Sequence, residues 1–315
     1  MPSWKLKTAV QRLISCMPKS YYWNGLLQKY VTKGYFVSDR VFEGKLKLCG
    51  KHLEFYRKFS LNPKKHFEAF ELGAGAWPII PIGLYLCGAE RIITYDLHPV
   101  LENDTLESVL KHFEKYIESK KIYEILPGAH KDRVKTLKEA ISNKKWDTPK
   151  DFLNQLNIDA RKGDARRTDV DNSSKDLIFS TVVLEHIDRD IILDLYKEFR
   201  RIAKPDAIMS HYIGLEDQYC GFDSSITPFN FLRYSDKQWS RYNNPMIPLT
   251  RLRLTDHRAL VEESGFELLH EESILGDPED LKSVPLADKF EGYPVEDLLA
   301  RFSWLVSTPG GFPQT

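Results

Sequence analysis

The sequence predicts an α/β protein built on an open, mostly parallel sheet with helices on both faces. Short apolar runs bounded by glycine or proline alternate with longer stretches of helical periodicity, the order expected of parallel strands joined by crossover helices. Phe67 to Leu72 is apolar and aromatic and is broken by Gly73-Ala74-Gly75. Pro78 to Leu86 is apolar nearly all round and is followed by Gly88, and Arg91 to Asp96 is apolar again. Strand, tight turn, helix and strand within about thirty residues make a βαβ unit.

Ahead of that unit, residues 1–65 read as an N-terminal helical cap. Leu6, Val10, Leu13, Ile14 and Met17 recur at helical spacing with Lys5, Lys7, Arg12 and Lys19 among them, and 41–59 mixes apolar residues with lysines in the same way. Residues 66–315 read as the α/β domain. Its first helix has proline at its start and glycine past its end, the usual asymmetry of helix termini. Further strands are expected at Ile158–Lys162, Asp176–Val183, Ala207–Ile213, Phe266–His270 and Phe302–Ser307. A helix over about 190–204 is expected to stop at Pro205, and another closes at Gly265. Two connections are too long for plain crossovers. One, about 98–157, reads as a solvated helical insertion; the other, about 214–253, is rich in Tyr, Phe and Trp and is expected on the substrate side.

The chain has 315 residues, 42% hydrophobic and 29% charged, enough for a sizeable core. No apolar run approaches the roughly 18 residues that span a bilayer, and Met1 to Val10 lacks the apolar stretch of a secretory signal, so a cytoplasmic protein is expected. Cys16, Cys49, Cys87 and Cys220 show no paired spacing, which argues against a zinc site or a disulfide framework; no metal is expected. The net charge of zero conceals 14 basic against 3 acidic residues in 1–66 and the opposite imbalance beyond. The basic segment reads as docking on an acidic body, and no nucleic-acid partner is expected.

The chemistry is concentrated at the Gly-rich turn, which brings backbone close to a ligand at the carboxyl end of a parallel sheet. A dinucleotide fingerprint needs a third glycine where this chain has Pro78, which speaks against an NAD-dependent oxidoreductase. Asp96 closes the second strand, where an acid accepts hydrogen bonds from ribose hydroxyls. Glu71, Asp96 and Asp164 are expected to converge on one edge, with no Lys or Arg in the Gly loop. That balance suits a cationic, phosphate-free nucleoside.

In these residues the chain resembles the class I (Rossmann-like) S-adenosylmethionine-dependent methyltransferases. The resemblance rests on Glu71-x-Gly73-x-Gly75, the acid at 96, Gly163-Asp164-Ala165, the run Asp176 to Ile187, the stretch 199–206 and Glu263 to Glu267; it covers roughly 66–310 apart from the two insertions. It implies S-adenosyl-L-methionine as cofactor. Glu71, Gly73, Ala74 and Gly75 would border its methionine part, Asp96 its ribose and Leu97 its adenine. Asp164 would accept from the adenine amino group with Ala165 against the ring, and Ser180, Thr181 and Val182 would floor the site. Asp206, where the family usually has glycine, is a departure confined to a turn.

Methyl transfer needs alignment above all, and a hydroxyl acceptor also needs its proton removed. His186, His211 and Asp217, at or beyond strand ends, are the candidate bases. The aromatic segment favours a small-molecule acceptor and O-methylation, and the basic N-terminal segment is compatible with an anionic or carrier-bound one. A nucleic-acid or protein methyltransferase is the alternative. Oligomeric state is not legible in the sequence.

Overall fold

The computed structural model describes residues 3–18, 23, 37–244 and 248–310. Lys19 and most of the expected cap between residues 19 and 36 lie outside the described residues. Among the described residues seven strands form one sheet: β1 (Phe67–Leu72), β2 (Ala89–Asp96), β3 (Ile158–Lys162), β4 (Lys175–Thr181), β5 (Ala203–Gly214), β6 (Phe266–Leu275) and β7 (Ala300–Pro309). Their order is β3-β2-β1-β4-β5-β7-β6, parallel except for β7, which runs antiparallel to both β5 and β6. The expected α/β sheet, with helices on both faces, is therefore present.

The helix of the βαβ unit, Ile79–Leu86, is buried at every position, which is why its sequence is apolar on all sides. It lies beneath a 21-residue helix, Asp39–Phe59, capped by the Ser38 hydroxyl accepting from Val41 N–H. We label four helices: α1 (Trp4–Ser15), α2 (Asp39–Phe59), α3 (Ile79–Leu86) and α4 (Arg189–Ile202). A Cβ on Gly83 of α3 would sit 2.8 Å from Cys49 Sγ of α2, so glycine is what permits so close a crossing. The connection after β2 carries the expected helices, at Asn103–Glu118, Lys121–Ile125, Lys131–Asn143 and Pro149–Asn154.

His52 fastens α2 to the sheet. It is fully buried, with Nδ1 2.8 Å from Ser210 Oγ and Nε2 3.1 Å from Thr181 Oγ1, so one ring spans β4 and β5. Further along the helix, Tyr56 packs on Phe67 at the start of β1, and beyond the helix Lys64 pairs with Asp176 at the start of β4. The C-terminal end of α2 thus lies over the amino ends of the strands. Its N-terminal half projects toward their carboxyl ends.

Three expectations are corrected. α1 forms, but it buries Trp4, Thr8 and Gln11, while Leu6, Val10, Leu13 and Met17 are exposed. The aromatic segment decides this: Trp4 sits against Tyr219, Tyr234 and Tyr242, its N–H donates to Asp223, and Arg12 donates to the Ser240 and Arg241 carbonyls. Pro205 does not stop a helix. α4 ends at Ile202, and Pro205 lies within β5, where the pairing with β4 shifts register and no ladder donor is required. Most aromatics of 214–253 pack on one another rather than facing a ligand: Phe229, Phe231 and Trp239 are buried in a separate small core with Trp4, and Tyr219 is buried at its edge.

The role of His52 is directly testable. His52→Ala leaves two buried hydroxyls short of a partner and opens a cavity, and should cost about 3 kcal/mol or more in denaturant unfolding. A cost below about 1 kcal/mol would show that other contacts hold α2 in place.

Candidate functional site

β1 turns at Gly73, whose φ of +83° is in the left-handed region; a Cβ there would come within 2.5 Å of Val183 Cγ2. Glycine satisfies both constraints, and the close approach sets the loop against the chain leaving β4. Gly73 N–H donates to the Tyr95 carbonyl at 2.8 Å, and Gly75 N–H donates to Asp96 Oδ2 at 3.1 Å. His98 N–H donates to Asp96 Oδ1 at 2.8 Å. Asp96 is therefore fixed and half-buried at the end of β2, each oxygen keeping a lone pair for a ligand's hydroxyl. Ala74 is half-buried between the two glycines, and Leu97 is exposed beside Asp96.

Gly163 N–H donates to the Asp96 carbonyl, which sets Asp164 next to this corner. Glu71, Asp96 and Asp164 stand at or just beyond the carboxyl ends of three adjacent strands. Asp164 is not free, however. Arg166 lies 2.6 Å from it and holds its carboxyl below the usual range, and Ala165 is buried underneath. Ser180 and Thr181 contribute no free hydroxyl, being bonded to His211 and His52 on opposite faces of the sheet. Val182 follows with φ +59°, a rare conformation for a β-branched residue, and its N–H donates to the Tyr212 carbonyl. Strain of that kind persists where surrounding packing enforces it.

Of the three candidate bases, two are placed where they cannot meet a substrate. His211 is 1% exposed, stacked on Tyr196 and Phe199 of α4 and bonded to Ser180; burial pushes it down to about 3. Asp217 is fully buried and accepts from Tyr219 N–H and Asn230 Nδ2, so it organises the aromatic segment. His186 differs. Its Nδ1 is 2.8 Å from the Pro248 carbonyl, which can only accept, so Nδ1 carries the proton and Nε2 carries the lone pair. The Gln218 amide lies 3.3 Å from Nε2, and burial lowers the pKa, keeping the ring neutral.

Gln218 also lines a hollow of about 170 Å³ with Lys7, Gln11, Tyr219, Asn243, Asn244 and Leu249. Its polar lining consists of amides, a phenol and one ammonium. Among the described residues no cluster of three His, Cys, Asp or Glu has metal-binding geometry, and no helix is long and apolar enough to cross a membrane.

The sequence reading missed two residues. Glu185, in the turn after β4, is 3% exposed; no side chain bonds its carboxyl, which lies toward the backbone N–H groups of Glu185 and Gly214, and its Oε1 occupies the space a Cβ on Gly214 would fill. Lys45, on α2, is half-buried, with Glu71 and Glu185 as the opposite charges in its field. Burial pushes Glu71 up to about 8, opposed by Lys45 and aided by Asp96, and pushes Glu185 to about 8 as well. Glu71 Oε2 likewise lacks a partner. No periodicity marks Glu185, and Lys45 is one of several lysines on a basic helix.

A family model described as a methyltransferase domain matches residues 131–210, the stretch that contains β3, β4 and α4. Among solved structures, the chain is similar to a geranyl diphosphate C-methyltransferase from Streptomyces coelicolor A3(2), solved with Mg2+, geranyl diphosphate and S-adenosyl-L-homocysteine. The two are 10% identical over 82% of this chain and 80% of the other, with a TM-score of 0.44. It is also similar to an S-adenosylmethionine-dependent methyltransferase from Mesorhizobium loti, 12% identical over 80% of this chain and 95% of that one, with a TM-score of 0.42. No protein of curated function matches.

The paired carboxyls give the free protein a pH signature. Folded, they keep their protons up to about pH 8, whereas an unfolded glutamate releases its proton near about pH 4.3. Between those values the folded state binds more protons, so these groups weaken stability as pH rises. Glu185→Gln should therefore show a flatter decline of melting temperature between about pH 5 and 8 than the parent protein. Identical slopes would mean that Glu185 is ionised at neutral pH.

Proposed function

We propose that this chain, an S-adenosylmethionine-dependent methyltransferase with a class I, Rossmann-like fold, methylates a hydroxyl of a small polar acceptor. The observation that carries this reading is the amide-lined hollow beside His186, whose lone pair faces Gln218 on the hollow's wall. Amides both donate and accept, the requirement for orienting a polyhydroxylated molecule.

The cofactor supplies a methyl group already activated by a positively charged sulfur. The corner that would receive it fits such a group: buried carboxyl oxygens that no side chain bonds, a glycine loop with no cation, and Asp96 with lone pairs to spare. In this reading Asp96 holds the ribose. Glu71, Gly73, Ala74 and Gly75 border the methionine part, Leu97 and Ala165 flank the adenine, and Asp164 meets its amino group. Backbone at Ser180, Thr181 and Val182 closes the floor.

His186 takes the acceptor's hydroxyl proton at Nε2. The Pro248 carbonyl, already bonded to Nδ1–H, stabilises the imidazolium that results. Lys7 on the wall of the hollow accommodates an acceptor that bears a negative charge.

The test supplies labelled methyl donor with small polyols on one side and bulk tRNA and protein on the other. Transfer should go to the small acceptors, and His186→Ala should lower kcat by about a hundredfold or more with S-adenosylhomocysteine affinity unchanged. Transfer to tRNA or protein with small alcohols ignored would overturn the reading.

A further inference from the structure

We propose that Lys45, Glu71 and Glu185 form a receptor for the α-amino acid head of the cofactor, with Lys45 holding its carboxylate and the two glutamates its ammonium. This inference rests on the methyltransferase reading above and extends it to a group on α2, outside the glycine loop and strand-end motifs.

The placement follows from how α2 is fastened. His52 is pinned to Thr181 and Ser210, and Tyr56, one turn further on, packs at the amino end of β1. Lys45 is seven residues before His52, two helical turns along the same face and about 10 Å further toward the carboxyl edge. That edge is where Glu71 ends β1 and Glu185 follows β4. Glu71 and Glu185 are the opposite charges within electrostatic reach of its ammonium.

The charges are close but do not neutralise one another by contact. Among the described residues Lys45 makes no ion pair or side-chain hydrogen bond. Glu71 is 4% and Glu185 3% exposed, and no side chain bonds Glu71 Oε2 or either Glu185 oxygen. Elsewhere on the sheet, buried acids are satisfied: Asp176, at the opposite edge, accepts from Lys64, Lys204 and the Glu68 N–H. Withdrawing an unpaired charge from water is costly, so in the free protein both glutamates keep their protons up to about pH 8 and ionise only against a cationic partner. One ammonium and two carboxylates held apart describe the complement of a zwitterion, which inserts one carboxylate and one ammonium between them. When all three are ionised they sum to one negative charge, the counterpart of the single net positive charge of a sulfonium-bearing amino acid.

The closest competing reading gives the same three groups to an amino acid portion of the acceptor. The two readings separate with a pair of nucleosides that differ in the amino acid head: S-adenosylhomocysteine has it, and 5′-methylthioadenosine lacks it. Both are titrated calorimetrically into the full chain and its variants. Lys45→Met should weaken S-adenosylhomocysteine about tenfold or more and leave methylthioadenosine unchanged, and Lys45→Arg should retain most of the affinity. Glu185→Gln should show the same selective loss. Unchanged methylthioadenosine binding also certifies that each variant is folded. Equal weakening of both nucleosides, or no weakening of either, would overturn the proposal. If the parent protein binds neither nucleoside, the methyltransferase reading itself falls.

Discussion

A carboxyl withdrawn from water costs several kcal/mol to ionise, and at the carboxyl edge of this sheet the buried Glu71 and Glu185 keep their protons up to about pH 8 beside a lysine that bonds to neither. A fold serving stability alone would pair such groups, as Asp176 is paired at the opposite edge. The positions of the glycine loop, the strained turn after β4 and helix α2 all become intelligible around those buried acids. A cationic, zwitterion-bearing ligand satisfies them where water and neighbouring side chains do not.

Holding groups in so unfavourable a state requires rigid supports. His52 supplies one by bridging β4 and β5 from α2, and the contact of Gly73 with Val183 supplies another. Arg253 supplies a third. It is fully buried and donates to the carbonyls of Leu215, Asp297, Leu298 and Ala300, locking the exit of β5 to the entry of β7. The aromatic segment, with its own small core around Trp239 and Phe231, therefore starts from a fixed point, and the hollow beside His186 takes its shape from it.

The sheet was legible in the sequence because its signals are local. Phe67–Leu72 and Ile158–Lys162 are bounded by glycine or polar residues that leave little freedom in where a strand ends. Asp96 was equally legible, since an acid closing the second strand has a fixed position relative to the glycine turn. Contacts between distant segments were not. The exposed stripe of α1 has the periodicity of a buried face, and only Trp4, held by rings more than two hundred residues away, decides otherwise. His211 and Asp217 are plausible bases as letters, but tertiary burial removes them. Glu185 and Lys45 acquire meaning only when α2 is laid along the sheet, an arrangement dictated by His52 and absent from any short window.

The central claim is that the buried carboxyls at the strand ends exchange their protons for a cationic ligand. Titrating S-adenosylmethionine at about pH 7 in buffers of different ionisation enthalpy counts the protons exchanged on binding. With Glu71 and Glu185 both held up to about 8 in the free protein, the account expects net proton release, seen as a binding heat that changes with the buffer. A binding heat identical in every buffer would contradict it.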